Sequence, residues 1–355
     1  MLMDPGAEVS VVRPIEWERL GCLAEELDRA LGDILPSDSE GPTRERASRT
    51  RATSAICAAL ALRRRTDGTG DLLAPASRSR GAVLAMGVEP EEYLRQALGR
   101  SRSPDGGRGP QFHWSDLERG ILGPIRPPGT SLEVMAGATL SFRMRKQDRV
   151  GLVLADGSEC ATGAWHEGLN FAAVRRCPLV VVVDAPAPPR GPEPDASEDP
   201  RQGIRPTRLT SWLDLCDGYG IRGRSAPIDD LSALHETVAE SLERARAGGG
   251  VQLVEIRGSR RPGSDEGLPE PRAESRSDDE GPSALFPAMA EEIGEQVDRA
   301  LRSVLDDREP EGREALHPIL SDRDATVPWY RDPAGRMGSR RAPTSANAAS
   351  TSETR

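Results

Sequence analysis

The chain has 355 residues, of which 36% are hydrophobic and only 3% aromatic, and its formal net charge is −10. This length suits about two domains, or one large α/β domain with tails, and the 36 glycines and 30 prolines indicate long irregular segments. Because 57 acidic residues outnumber 47 basic ones and no basic stripe is present, the composition argues against a broad surface for nucleic acid or an anionic membrane.

The cysteines and the apolar runs give the cellular setting. There are five cysteines, an odd number with no C-x-x-C spacing, which argues against a disulfide framework and a zinc site. No apolar run reaches the roughly 18 residues of a membrane span, and residues 1–13 have no apolar stretch of signal-peptide length. We therefore expect a cytoplasmic protein with reduced thiols.

Helical periodicity recurs along the chain. Apolar residues at a spacing of three and four predict an amphipathic helix over residues 15–35, followed by a Ser/Pro/Gly linker. We expect residues 1–50 to be this helix and a disordered linker, residues 51–325 to be the main domain, and residues 326–355 to be a disordered tail. Further helices are predicted at 53–62, 90–98, 131–145, 162–176, 209–219, 231–247 and 293–305.

The most informative stretch lies between residues 150 and 184. The runs 150–154 and 177–183 are apolar and rich in β-branched residues without alternation, as expected of strands buried on both faces. A helical segment separates them, so the stretch predicts a βαβ unit in a parallel sheet, and residues 251–256 predict a further buried strand. Ligands of such sheets bind beyond the carboxyl ends of the strands, which here are 155–158 and 184–186.

Several separated segments resemble one family in the same order. Residues 156–183 resemble the thiamine-diphosphate-binding core of the alpha subunits of the decarboxylating component of 2-oxo acid dehydrogenase complexes (pyruvate, branched-chain and acetoin types). Residues 71–78 resemble the family segment that ends in Tyr-Arg, and residues 107–113 resemble its Gly-Arg-Gly-Gly-Ser-Met-His loop. Residues 129–140 resemble the small-residue helix before the cofactor strand. The resemblance covers about residues 50–320.

The resemblance implies a fold, an activity and partners. The fold is the α/β, three-layer thiamine-diphosphate-binding fold, with a central parallel sheet flanked by helices. The activity is oxidative decarboxylation of a 2-oxo acid, with thiamine diphosphate and Mg²⁺ as cofactors and acyl transfer to a lipoyl domain. The partners are a beta-type subunit and a second copy of the chain, in an alpha2beta2 heterotetramer or a homodimer, and also a lipoyl acyltransferase.

The resemblance also assigns site residues. Arg78 corresponds to a phosphate contact, Asp156 to a ligand of the metal, and His113 to a catalytic histidine near the cofactor. Arginine makes strong charge-assisted contacts to phosphate, and Mg²⁺ prefers hard oxygen ligands. The full set of cofactor-binding candidates is Arg78, Asp156, Gly157, Thr162 and Gly163.

The chain departs from the family at most chemical positions. Ala155-Asp156-Gly157 stands for Gly-Asp-Gly only if one residue is inserted before Thr162; a gapless alignment puts Gly157 at the ligand position. The Asn-Asn pair is replaced by Ala185-Pro186, and proline offers no side-chain oxygen. Two further family positions are also lost, the tyrosine to Ser77 and a histidine to Arg80. A second histidine is missing from residues 258–265.

Three functions stay open. The first is an alpha-subunit-like enzyme component whose cofactor binding is weakened or lost. The second is a pseudoenzyme, a non-catalytic structural or regulatory paralogue that pairs with a beta-type subunit. The third is a cleft for another anionic ligand, bound through Arg78, Arg80 and the helix N-terminus near Thr162. For Asp156 itself, the alternative to a metal ligand is a turn residue that caps the next helix.

Overall fold

A computed structural model describes residues 14–34, 49–108, 115–123, 125, 127–157, 159–184, 209, 211–228, 230–257 and 287–311. Most of the predicted linker, the predicted tail and His113 lie outside the described residues.

The centre of the fold is a parallel sheet. Its strand order is β1-β2-β3-β5-β4, and every neighbouring pair is parallel. The central strands consist of the apolar runs singled out in the sequence, and their side chains are almost completely buried. The predicted βαβ unit is thereby confirmed. The strands are β1 (Leu72–Ala74), β2 (Gly151–Asp156), β3 (Leu179–Asp184), β4 (Arg222–Pro227) and β5 (Gln252–Arg257).

Helices cover both faces of this sheet. Because side chains alternate along a strand, Leu152 and Leu154 of β2 face one hydrophobic cluster while Val153 and Ala155 face another. The first cluster is formed with α1 (Pro14–Ile34), α2 (Arg49–Ala59), α3 (Pro90–Ala97), α7 (Leu231–Arg244) and α8 (Pro287–Leu305). The second is formed with α4 (Thr130–Met144), α5 (Gly163–Val174) and α6 (Asp214–Tyr219). The predicted three-layer α/β class is confirmed.

Helix α1 packs into the first cluster. Trp17, Leu27 and Leu31 are at most 5% exposed and pack among residues of α2, α3 and α8. The periodicity had predicted this helix but not its position against the main domain. The boundary at residue 50 between an N-terminal segment and the main domain stays a prediction.

The sequence-based prediction differs from the structure in four elements. Strands β1 and β4 and a 3-10 segment, Ser77–Met86, were not predicted. The predicted helix 209–219 is wrong in its first half, because α6 begins only at Asp214. The physical reason is an anchor on β5: the Ser211 hydroxyl and the Trp212 amide both donate to the carboxylate of Glu255, at 2.7 and 3.0 Å.

Two further findings concern the described residues. None of their helices combines the length and the apolar character that crossing a membrane requires. All five cysteines lie among them, each is buried, and each is a thiol rather than half of a disulfide.

Candidate functional site

The candidate site lies where β2 and β3 end. Asp156 and Asp184 are the last residues of these strands and pair in register, so their backbones lie on adjacent strands about 4.8 Å apart. Both residues are partly buried. The sequence had singled out Asp156 but not Asp184. The carboxyl edge of the sheet therefore carries two neighbouring acidic residues at the position where parallel sheets bind ligands.

Thr162 begins the helix that follows β2. Its backbone is extended, and its Oγ1 accepts a hydrogen bond from the Trp165 amide at 3.3 Å, which makes it the N-cap of α5. The hydroxyl donates in turn to the Glu159 carbonyl at 2.7 Å. Gly163 is the exposed first residue of the helix, and a side chain there would meet open space. Both candidates therefore lie at a helix N-terminus, where backbone amides carry partial positive charge.

The N-terminus of α4 lies against that of α5. Its N-cap is Gly129, which has a left-handed backbone with φ of 85°. A Cβ at this position would collide with Thr162 Oγ1 and come within 2.9 Å of the Trp165 amide nitrogen. Only glycine fits so close an approach, and the positive ends of two helix dipoles consequently lie side by side.

The carboxyl group of Glu159 lies at this point, and it is not among the candidates that the sequence indicated. One carboxylate oxygen accepts from the Gly129 amide at 3.3 Å, and the backbone of Asp156 donates a second hydrogen bond. Burial, followed by the neighbouring charge of Asp156, raises the pKa of Glu159 to about 7. The only sequence signal was a carboxylate three residues after Asp156. The contact with Gly129, thirty residues earlier, is tertiary.

Glu255 is the acidic residue near the end of β5, and it is buried. Its carboxylate accepts from Ser211 and Trp212, as described above, and also from the Arg257 guanidinium at 2.8 Å. Three groups therefore satisfy it, so we interpret Glu255 as an anchor for the segment before α6 rather than as a ligand.

The remaining candidates are described only in part. Gly157 directly follows β2 and lies beside Asp156 at the same edge. Arg78 lies in the 3-10 segment that follows β1. Because β1 is parallel to β2, this segment starts at the same edge of the sheet as Asp156. The side chain of Arg78 is not described. His113 is likewise not described. The structure brings Asp156, Gly157, Thr162 and Gly163 together and adds Asp184 and Glu159.

These groups do not form a complete site for Mg²⁺ and a diphosphate. Carboxylate oxygens are suitable donors, but Mg²⁺ requires six ligands in octahedral geometry. Among the described residues, no group of three or more His, Cys, Asp or Glu side chains is placed to hold a metal ion. The Glu159 carboxylate is engaged by backbone amides rather than open to a ligand.

Residues 50–187 match the family described as "Dehydrogenase E1 component". The chain is 30% identical over 188 residues to the alpha subunit of acetoin:2,6-dichlorophenolindophenol oxidoreductase from Cupriavidus necator, covering 53% of this chain and 54% of that one. It is 27% identical over 191 residues to the alpha subunit of 2-oxoisovalerate dehydrogenase from Bacillus subtilis, covering 52% and 54%.

The chain thus spans about half the length of these curated relatives. Among solved structures, it is similar to transketolase from Leishmania mexicana, with a TM-score of 0.45 and 13% identity, covering 81% of this chain and 45% of that one.

Proposed function

We propose that this chain is an alpha-subunit-like E1 component of a 2-oxo acid dehydrogenase that holds thiamine diphosphate and Mg²⁺ weakly or not at all. The match of residues 50–187 to the E1 component family and the similarity to alpha subunits support the first part of this proposal. Where the cofactor is held, the expected activity is that of the family, oxidative decarboxylation of a 2-oxo acid with acyl transfer to a lipoyl domain. A beta-type subunit and a second copy of the chain are the proposed partners.

One observation carries the proposal of weak binding, namely the position of Glu159. Two helix N-termini side by side form a natural site for an anion such as a diphosphate. The carboxylate of Glu159 is hydrogen-bonded to the first of them and is close enough to Asp156 to be affected by its charge. A diphosphate brought to this edge would bind beside Asp156 and would require Glu159 either to take up a proton or to stay ionised next to a like charge, and each of these costs binding energy.

The replacement of the family's Asn-Asn pair also supports weak binding of the metal and the cofactor. In the sequence, Ala185-Pro186 directly follows Asp184, the last residue of β3. Neither side chain contains an oxygen, so a metal at this edge would depend on the carboxylates, the diphosphate and water.

The alternative is a non-catalytic paralogue that pairs with a beta-type subunit. It is supported by the contrast between altered chemistry and intact packing. Both hydrophobic clusters flanking the sheet are continuous, and the strands β2, β3 and β5 are fully formed. Such a scaffold can retain its interfaces after the metal site is lost.

Calorimetric titration tests the proposal. Thiamine diphosphate with Mg²⁺ is titrated into the chain alone and into the chain purified with a beta-type subunit, and we expect no saturable binding below about 1 mM. The control is the variant Ala155→Gly/Ala185→Asn/Pro186→Asn, which restores the Gly-Asp-Gly and Asn-Asn residues of the family and for which a gain in binding is expected. Micromolar binding by the natural chain, with turnover of a 2-oxo acid, would overturn the proposal.

The same preparations separate the alternatives. Co-purification of a beta-type subunit without bound cofactor supports the paralogue. Saturable binding of inorganic pyrophosphate in place of the cofactor supports the third possibility, an anion-binding cleft near Arg78, Arg80 and Thr162.

A further inference from the structure

Helices α4 and α5 end in the same way at the amino edge of the sheet. Each closes with a strongly exposed apolar residue, Met144 at 75% and Val174 at 73%, and these are the two most exposed large hydrophobic side chains among the described residues. Basic residues follow immediately in both cases. We call residues 143–146 and 174–176 the helix-end surface. Its seven residues include five basic side chains and no acidic one.

Contacts join the two helix ends into one surface. The Arg143 guanidinium donates a hydrogen bond to the Arg175 carbonyl, and the Arg176 guanidinium donates to the Gly248 carbonyl at 2.9 Å, in the turn before β5. The Arg175 guanidinium carbon lies 5.9 Å from the centre of the exposed Phe171 ring. Cations and exposed apolar groups are therefore interleaved at this end of the molecule.

The backbone at both helix ends is unfavourable for the residues that occupy it. Lys146 and Arg176 have φ of 52° and 47°, and within the described ranges they are the only residues other than glycine in the left-handed region. Each directly follows the C-cap of its helix, where glycine is preferred because a Cβ crowds the backbone. Attraction to the helix dipole can account for cations here, but it does not account for the exposure of Met144 and Val174.

The neighbouring acidic groups leave this positive charge in place. Asp148 is 72% exposed, but its carboxylate accepts from the Arg63 guanidinium at 2.8 Å. Arg63 also binds Glu243 at the end of α7, which in turn pairs with Arg246. The helix-end surface is thus a local positive area on a chain whose net charge is −10. No basic stripe is visible in the sequence, because the cations come from two segments about thirty residues apart.

We propose that the helix-end surface binds the anionic face of a lipid bilayer. Lysine and arginine around exposed apolar side chains suit this environment, because the cations attract anionic headgroups and the apolar groups insert between them. Met144 and Val174 end their helices and stand exposed, so they do not line a groove that a folded partner would fill. The seven residues include no aromatic ring on which the bases of a nucleic acid could stack.

This attachment leaves the candidate site accessible. Thr162 and Val174 lie at opposite ends of α5, which has 12 residues and is therefore about 18 Å long. The candidate site, at the carboxyl edge of the sheet, consequently faces away from the bilayer. Binding to the bilayer does not require the cofactor, and five cations with two short apolar side chains make the attachment reversible.

Sedimentation of the purified full chain with lipid vesicles tests the attachment. We expect binding to vesicles of phosphatidylcholine that contain about 30% phosphatidylglycerol, and no binding to vesicles of phosphatidylcholine alone. The bound chain should be released at about 0.5 M NaCl, because charges are then screened within about 4 Å.

The variant Lys146→Gly/Arg176→Gly separates loss of charge from loss of folding. Glycine suits the left-handed backbone, so the variant should be at least as stable as the natural chain in urea denaturation. Each cation near an anionic surface raises affinity roughly fivefold, so we expect vesicle binding to weaken about 25-fold. The matched control, Arg299→Gln/Arg302→Gln, removes two charges from exposed positions on α8, which packs on the other face of the sheet, and should leave vesicle binding unchanged.

Replacement of the apolar side chains tests their insertion. The variant Met144→Ser/Val174→Ser keeps every charge and should weaken vesicle binding at least about tenfold, since little apolar surface is left to enter the bilayer. Circular dichroism checks that the variant is folded. The control is Leu305→Ser, at a 43% exposed site on α8, which should bind vesicles as the natural chain does.

Several results would overturn the inference. One is a natural chain that does not sediment with anionic vesicles at about 1 mM lipid. Another is equal vesicle binding by the natural chain and Lys146→Gly/Arg176→Gly. A third is equal affinity for vesicles, double-stranded DNA and polyglutamate, unaffected by Met144→Ser/Val174→Ser, which would make the surface a general site for polyanions. None of these results bears on cofactor affinity.

Discussion

Glu159 is the residue whose protonation the fold perturbs most directly at the candidate site. Its pKa is raised to about 7, first by burial and then by the charge of Asp156, although hydrogen bonds from Gly129 and Asp156 act in the opposite direction. An unfolded chain gives glutamate a pKa of about 4.3. The native state therefore holds this proton more tightly than the unfolded state. The stabilising contribution is complete below about pH 4 and is lost as the pH rises to 7 and above.

The variant Glu159→Gln should change this pH dependence. A neutral amide avoids the cost of ionising a buried carboxylate, so the unfolding free energy of the variant, relative to the natural chain, should rise between pH 5 and pH 8. The expected gain is of the order of 3 kcal/mol, because each pH unit between 5 and the native pKa of about 7 contributes about 1.4 kcal/mol. Urea denaturation at several pH values measures it. Glu167→Gln, an exposed site on α5, is the control. If the unfolding free energies of Glu159→Gln and the natural chain differ by the same amount from pH 5 to pH 8, the raised pKa of Glu159 is contradicted.

Residues of the site could be predicted from the sequence only where the signal is local. Thr162 was found through the family motif, and the structure gives it a local role as the N-cap of α5. Glu159 was missed because its partner, Gly129, is distant in sequence. The sequence placed Asp184 at the strand end where ligands bind but did not assign it as a site residue, because the family pattern has no acidic ligand there. Only the pairing of β2 with β3 brings Asp184 into register with Asp156.

At the scale of the elements, a buried ion pair joins the amino end of the sheet to the helix layer. Asp71 precedes β1 and is 1% exposed. Its carboxylate accepts from the Arg63 amide at 2.9 Å, the Val150 amide at 3.0 Å and the Arg246 guanidinium at 2.7 and 3.0 Å. It thus fixes the segments before β1 and β2 against the turn after α7.

Replacing Asp71 by asparagine should destabilise the protein strongly. The side chain of Arg246 is 5% exposed, and the change removes its only buried counter-charge among the described residues, leaving it the exposed carboxylates of Glu243 and Asp148 at 3.2 and 3.8 Å. Breaking a buried pair costs about 3–5 kcal/mol, and we expect a loss near the lower end of this range. Denaturation at pH 7 measures the loss. The control is Glu295→Gln, since the Glu295–Arg299 pair on α8 is exposed and should contribute less than about 0.5 kcal/mol. Equal effects of the two changes would contradict the role of Asp71.

The same scale shows why some strands were predicted and others were not. Strands β2, β3 and β5 are continuous apolar runs, so burial on both faces is recorded in their residue types. Strand β4 has five exposed residues out of six and is held by its backbone pairing with β5. Strand β1 has only three residues. Backbone pairing leaves little trace in side-chain composition, so these two strands could not be read from it.

At the scale of the whole molecule, helix α1 is part of the same packed core as the sheet. Leu27 is fully buried in the cluster that contains α2, α8 and β2. The amphipathic pattern indicated that α1 has an apolar face but could not indicate which surface it covers. Its stability should accordingly be coupled to that of the main domain.

The variant Leu27→Ala tests this coupling. Removing a fully buried leucine side chain should cost about 2–5 kcal/mol and lower the midpoint of a single transition for the whole protein. Fluorescence and circular dichroism, followed together during denaturation, measure it. Ile34→Ala, at an exposed site on the same helix, should cost less than about 0.5 kcal/mol. A separate early transition, with the main midpoint unchanged, would show that α1 unfolds on its own.

The two borders of the sheet affect how the protein behaves at high concentration. At one border Arg222 and Arg224 of β4 project into solvent, and the strand ends at Pro227, which has no amide hydrogen to donate. At the other border, residues 120–122 already occupy the free side of Leu73 with two hydrogen bonds of 2.8 Å. A β-strand from another molecule would therefore meet arginine side chains at one border and, at the other, backbone groups of Leu73 that are already hydrogen-bonded. Despite its valine-rich interior, this protein should therefore resist polymerising into fibrils.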